Sequence, residues 1–281
     1  MDFGIHARFH SGSVDMPEFV ARCEQLGFES FWLPEHVVVP VNPSVGPGGV
    51  RGGSIPDSYL VMFDQLIGLT VAATASKTIR LGTGVCLIPE HHPVDLAKRI
   101  STLDVYSGGR VVLGIGAGWQ PEESAALGGD FKRRWAQTAE SVEVMKKLWT
   151  EEEPEHSGEY YSFPPLKFYP RPLQKPHPPL LLGGTAKRVF KRVAAWGDGW
   201  APWGIGPEEF GTGVKQLAQE CAAIGRDPAT ASITVMSIRP DAGLVKRYES
   251  AGAQRIVFVM DTAPEKDPFG RLDQIAREVG L

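Results

Sequence analysis

The sequence predicts a single α/β domain, residues 1–281, folded as a (β/α)₈ barrel of the TIM type with insertion loops at its C-terminal face. Short β-branched or aromatic runs alternate with segments of helical period to the end of the chain, the mark of parallel βα units. Eight such runs stand near residues 2–8, 29–34, 79–86, 110–116, 179–183, 198–202, 232–237 and 255–260. Eight units suit a barrel, which typically takes roughly 250 residues, better than a doubly wound sheet, which has fewer strands before a second domain begins.

The helices between these runs carry their own start and stop signals. Asp15 and Pro17 open the first, Gly27 closes it, and Met16, Phe19, Val20, Cys23 and Leu26 form its apolar face. A second clear helix is expected near 132–149, where Trp135, Ala139, Val142, Met145 and Trp149 recur at spacings of three and four. Segments 37–60 and 150–178 are too long for ordinary connections, the first rich in Pro and Gly and the second carrying a hairpin signal at Gly158-Glu159-Tyr160-Tyr161. Counted as following even-numbered strands, both are expected on the C-terminal face, where barrel enzymes keep their sites.

Composition narrows the function. Acidic residues (33) slightly exceed basic ones (29), the net charge is -4 and no Lys/Arg-rich run occurs, so a nucleic-acid partner is not expected. No basic, apolar leader opens the chain and no apolar run nears the roughly 18 residues of a membrane span, so a cytoplasmic protein without membrane contact is expected. Cys23, Cys86 and Cys221 are far apart and form no CxxC pair, which reads as free thiols. His91-His92 lacks a third ligand at metal-site spacing, so no metal is expected.

The candidate site residues follow from the strand ends. The second strand runs into Glu35-His36, where a carboxylate beside an imidazole could fix the ring's tautomer or hold an acid/base group near neutral pH; a structural histidine is the plainer alternative. The third strand holds Gly82 and Gly84 where β-branched residues are usual, which marks either close approach by a ligand or tight packing. The fourth runs into Gly114-Ile115-Gly116-Ala117-Gly118-Trp119; Trp119 breaks a GxGxxG fingerprint, so bare backbone with room for a flat ring is the reading. The fifth opens into Gly183-Gly184-Thr185 ahead of a helix beginning near Ala186 with Lys187 and Arg188, either an anion site at a helix N-terminus or an ordinary turn and cap. Trp200 and Trp203 line a cavity or belong to the core. Together these features favour redox chemistry by a phosphorylated planar cofactor, and no nucleophile elbow argues for hydrolysis.

These residues resemble the bacterial luciferase-like monooxygenase superfamily and, within it, the F420-dependent oxidoreductase group. The resemblance rests on Trp32 to His36, Leu81 to Val85, Pro93 to Lys98, Leu103 to Arg110, Gly114 to Trp119, Pro176 to Pro179, Gly183-Gly184 and Gly197 to Trp200, in this order and spacing. It implies hydride transfer between coenzyme F420 and a small organic substrate, with His36 and Glu35 at the ring. It also implies a non-proline cis peptide at Gly84–Val85 against the ring, ring contacts from Ala117, Gly118 and Trp119, cofactor phosphate at Gly183, Gly184 and Thr185, and a homodimer. An FMN-dependent two-component monooxygenase and a non-catalytic flavin-binding barrel are the alternatives. The family's sugar-phosphate dehydrogenases have a glutamate after the fourth-strand glycines and an aromatic residue four places beyond the histidine; Trp119 and Pro40 stand there, against sugar-phosphate oxidation.

Overall fold

The computed structural model describes residues 1–281. Eight parallel strands close a barrel: β1 Asp2–Ala7, β2 Ser30–Leu33, β3 Arg80–Leu87, β4 Val111–Gly116, β5 Leu180–Leu182, β6 Gly199–Trp200, β7 Ser232–Ile238 and β8 Arg255–Met260. They are hydrogen-bonded in sequence order, β8 pairing back onto β1. The eight strands lie where the sequence places them. β6 is the shortest.

Nine helices surround the barrel in one domain: α1 Met16–Gln25, α2 Gln65–Ala75, α3 Pro93–Ser107, α4 Pro121–Ala126, α5 Arg134–Thr150, α6 Arg188–Trp196, α7 Pro207–Ala223, α8 Ala242–Ser250 and α9 Pro268–Val279. None is long and apolar enough to cross a membrane. α1 follows its sequence signals: the Asp15 side chain accepts from Glu18 N, Pro17 sits in the first turn, and Met16, Phe19, Val20 and Cys23 are buried. α6 starts at Arg188, two residues later than the Gly-Gly-Thr pattern suggests, and no side chain caps it.

Two apolar layers hold the fold. Fifty-five buried residues fill the space between barrel wall and helices. A separate group of six, Trp32, Val112, Leu181, Ala201, Met236 and Val257, fills the barrel's interior. Trp32 dominates this inner group, its Nε1 donating to Ser30 Oγ at 2.8 Å. Gly82 is bare for this indole, since a Cβ there would lie 2.1 Å from the Trp32 ring; one on Gly4 would meet Ser30 Oγ at 2.5 Å and Trp32 Nε1 at 2.9 Å, and one on Gly114 would meet the Thr83 carbonyl oxygen at 2.2 Å. Of the two readings of the third-strand glycines, Gly82 takes tight packing, and the expectation that the fourth-strand glycines clear room for a ring is corrected for Gly114. Tight packing is their reason.

Segment 150–178 also departs from expectation. It follows α5, not a strand, and therefore leaves from the end of the barrel where strands begin. Its hairpin, His156–Ser157 with Ser162–Phe163, packs on α5: Glu140 accepts from Tyr160 N (2.9 Å) and Tyr161 N (2.8 Å), and the Tyr161 hydroxyl meets Gln137 (3.1 Å) and Ser141 (3.2 Å). The chain then descends to the start of β4, where Gln174 bonds Asp104 and Val111 O. The segment braces the flank of α3 and α5 and does not roof the mouth. These contacts account for the burial of Gln137 and Ser141 on α5, while Trp135 and Ala139, expected on its apolar face, are only half-buried.

Candidate active site

The ends of β2, β3, β4 and β5 are neighbours in the barrel, so the sequence's candidates come together as one arc of the rim. Adjacent residues at a strand end point to opposite sides, and Glu35 and His36 do so. Glu35 is buried and faces β3, accepting from Leu87 N at 2.5 Å and pairing with His91 Nε2 at 2.9 Å. Burial pushes its carboxyl up, but the hydrogen bond and charge of His91, with Leu87 N and Cys86, outweigh this and hold it below the usual range. The same contact raises His91 against the opposing effect of burial. The tautomer-fixing role expected of Glu35 toward His36 is thus corrected: Glu35 locks the end of β2 to the end of β3.

His36 takes its partner from elsewhere. Its Nδ1 lies 2.6 Å from Glu123 Oε2, while Glu123 Oε1 accepts from Val37 N (2.7 Å) and Val38 N (3.2 Å). A carboxylate opposite Nδ1 puts the proton on that nitrogen, leaving Nε2 to face a ligand. The ring is packed by Tyr59 at 5.0 Å and Trp119 at 5.1 Å between centroids, with the Arg8 guanidinium 5.1 Å over Tyr59. Tyr59 belongs to segment 37–60, which, as expected, folds over this side of the mouth and is pinned there by Glu123 and by Glu122, which accepts from Ser44 N.

Glu123 and Tyr59 were not legible as site residues. Glu122-Glu123 after Pro121 reads as ordinary first-turn acid at a helix start. The available signal was position: Glu123 lies four residues beyond Trp119, on the first turn after the fourth strand's glycines.

Centrally, the Gly84–Val85 bond is cis, as the resemblance implies. Val85 stands between two bare positions: its side chain is 2.9 Å from where Gly116 would carry a Cβ and 3.5 Å from the equivalent point on Gly183. Gly84 itself faces His6, whose Nε2 donates to Gly84 O at 2.9 Å. That bond leaves Nδ1 of the buried His6 an acceptor with no partner, beside the Trp203 ring at 4.8 Å. Burial, helped by the charge of Arg8, pulls His6 down to about 4. Beyond Val85, Gly183 is buried, Gly184 (φ 94) and Thr185 are exposed, and the uncapped start of α6 carries Lys187 and Arg188. Of the two tryptophans left open, Trp200 is core, wedged against Phe190 and Phe210, and Trp203 is 45% exposed at the rim.

Glu35, Cys86 and His91 place one ligand atom each within 4.8 Å of one another. Both Glu35 oxygens are already engaged, and burial followed by the charge of Glu35 pushes the Cys86 thiol well above its usual range. The trio is a closed hydrogen-bonded group, not an open donor set.

A flat, phosphate-bearing group fits this rim. Val85, Gly116 and Gly183 offer a surface without projecting side chains at two of three positions, an imidazole stands at one end, and unpaired amides with two cations stand at the other. The family model for luciferase-like monooxygenases matches residues 1–242. The chain belongs to the luciferase-like monooxygenase family. An uncharacterized protein of Mycobacterium tuberculosis is 35% identical over 285 residues, 99% of each chain. The F420-dependent glucose-6-phosphate dehydrogenase of Amycolatopsis mediterranei is 30% identical over 67% of this chain and 53% of its own. Among solved structures, an F420-dependent secondary alcohol dehydrogenase in complex with an F420–acetone adduct superposes with a TM-score of 0.78 at 17% identity, over 99% of this chain and 98% of that one, a likeness of fold.

Proposed function

We propose that this luciferase-like family member is an oxidoreductase that holds coenzyme F420 across the barrel mouth for hydride transfer with a small organic substrate, FMN being the alternative occupant. The observation that carries the reading is His36, clamped by Glu123 between Tyr59 and Trp119 at the edge of the glycine-bared surface around Val85. Val85, Ala117, Gly118 and Trp119 would bound the ring, and Gly183, Gly184 and Thr185 with Lys187 and Arg188 would take the phosphate. The cofactor supplies the hydride-carrying carbon. His36 Nε2 holds or donates the proton at the substrate oxygen, Glu123 fixes the orientation of the imidazole, and Glu35 steadies the strand end that carries it. Segment 37–60 excludes water from that side.

Equilibrium binding of F420 and FMN to the purified protein, followed by turnover of His36→Ala, tests this. Tight F420 binding and loss of turnover support the reading. FMN binding without F420 affinity reverses the cofactor order, binding of neither sinks the proposal, and full activity in His36→Ala removes the role of His36. The proposal includes a homodimer: segment 37–67 exposes Val41 (94%), Leu60 (62%), Phe63 (48%) and Ile67 (69%), an apolar strip that a second copy would cover. A monomer by light scattering at micromolar concentration refutes that part.

A further inference from the structure

The wall behind His36 holds one acid too many. Glu90, on the turn after β3, is 6% exposed, and neither carboxyl oxygen has a hydrogen-bond partner. The ionisable groups that face it are the carboxylates of Glu123 and Glu35 and the Cys86 thiol. Gly118 covers it, so closely that a Cβ there would sit 3.1 Å from Glu90 Oε1. Gln120 and Ser124 near that loop also bury side-chain polar atoms without partners. The wall therefore contains three carboxyls and two imidazoles, and the imidazoles are taken: His36 by Glu123 and His91 by Glu35. A buried charge without a counter-ion is what proteins avoid by neutralising the group. Burial, and then the charges of Glu123 and Glu35, push Glu90 up to about 9.

We propose that Glu90 is a positioning residue for the reaction: an uncharged carboxylic acid whose proton lets Glu123 and Glu35 both remain carboxylates bound to their histidines. The inference rests on the reading of His36 given above. When Glu90 ionises, three carboxylates share one dry wall. No proton is then left on Glu90 to relieve the repulsion between like charges, so the Glu123 carboxylate is pushed away from Glu90 and no longer holds His36 Nδ1. Activity then falls on the alkaline side through the orientation of His36 and not through loss of the cofactor.

Infrared spectroscopy of the cofactor-free protein reads the proton directly. The expected result is a protonated-carboxyl carbonyl band at neutral pH that disappears as pH rises through about 9 and is missing in Glu90→Gln. In turnover, kcat of the wild type falls over the same range while the cofactor's KM does not, and Glu90→Gln, uncharged at every pH, lacks that alkaline limb. Absence of a titrating band in the wild type overturns the proposal whether or not the variant folds. A band accompanied by an unchanged alkaline limb in Glu90→Gln overturns the positioning role. Failure of F420 and FMN to bind would instead sink the assigned reaction, leaving the infrared result to decide the state of Glu90.

Discussion

Glu90 should make the protein less stable as pH rises, and Glu90→Gln should remove the effect. An unfolded glutamate releases its proton near 4.5, whereas the folded one keeps it until about 9. Between those values the native state binds the proton and the unfolded state does not, so stability falls with pH; below them both states are protonated and the contribution is flat. At about 1.4 kcal/mol per pH unit, the wild type loses about 4 kcal/mol between about pH 5 and pH 8 on this account. The glutamine has no proton to retain. Urea midpoints of both proteins, taken at half-unit steps of pH, should therefore diverge steadily in favour of the variant. Two parallel curves would show that Glu90 ionises in the fold as readily as in the open chain, and would refute the accounting of charges on that wall.

Other groups give sharper single outcomes. His6, held neutral by burial with its value drawn down from 6.5 to about 4, works with the opposite sign. The unfolded state binds the extra proton as pH falls through that window, so stability is lost there, by about 3 kcal/mol in all, and His6→Asn should flatten that acid limb in urea denaturation. Gly82→Ala drives a methyl into the Trp32 ring and should lower stability by about 1–3 kcal/mol, read as a drop in Tm with secondary structure retained by circular dichroism. Glu123→Ala frees the His36 ring and leaves two backbone N–H groups without an acceptor; turnover should fall about 10²-fold or more, with the cofactor's Kd moving far less. An equal loss in Kd would assign Glu123 to cofactor binding alone.

What was legible in the chain was what local physics dictates. β-branched runs and capped helices need no knowledge of distant residues, and the eight strands and α1 emerged with nearly their observed bounds. The errors concern partners chosen at long range. Gly82 and Gly114 announce that something approaches, but only barrel closure reveals that it is Trp32 of the neighbouring strand for Gly82 and the Thr83 carbonyl for Gly114. Glu35 and His36, adjacent in sequence, read as partners, although strand alternation sends neighbours to opposite sides. Their true partners, His91 and Glu123, lie 56 and 87 residues away. Counting strands alone places segment 150–178 at the wrong end, because it leaves out the intervening helix α5, whose polar buried face receives that hairpin.

Trp32 and the five side chains packed with it make the barrel interior a solid pedestal beneath the rim. A planar group held against Val85 as proposed would be seated first and depart last, with a second reactant landing on top of it. Steady-state kinetics should accordingly show a compulsory order of addition, a property set by side chains that plug the barrel.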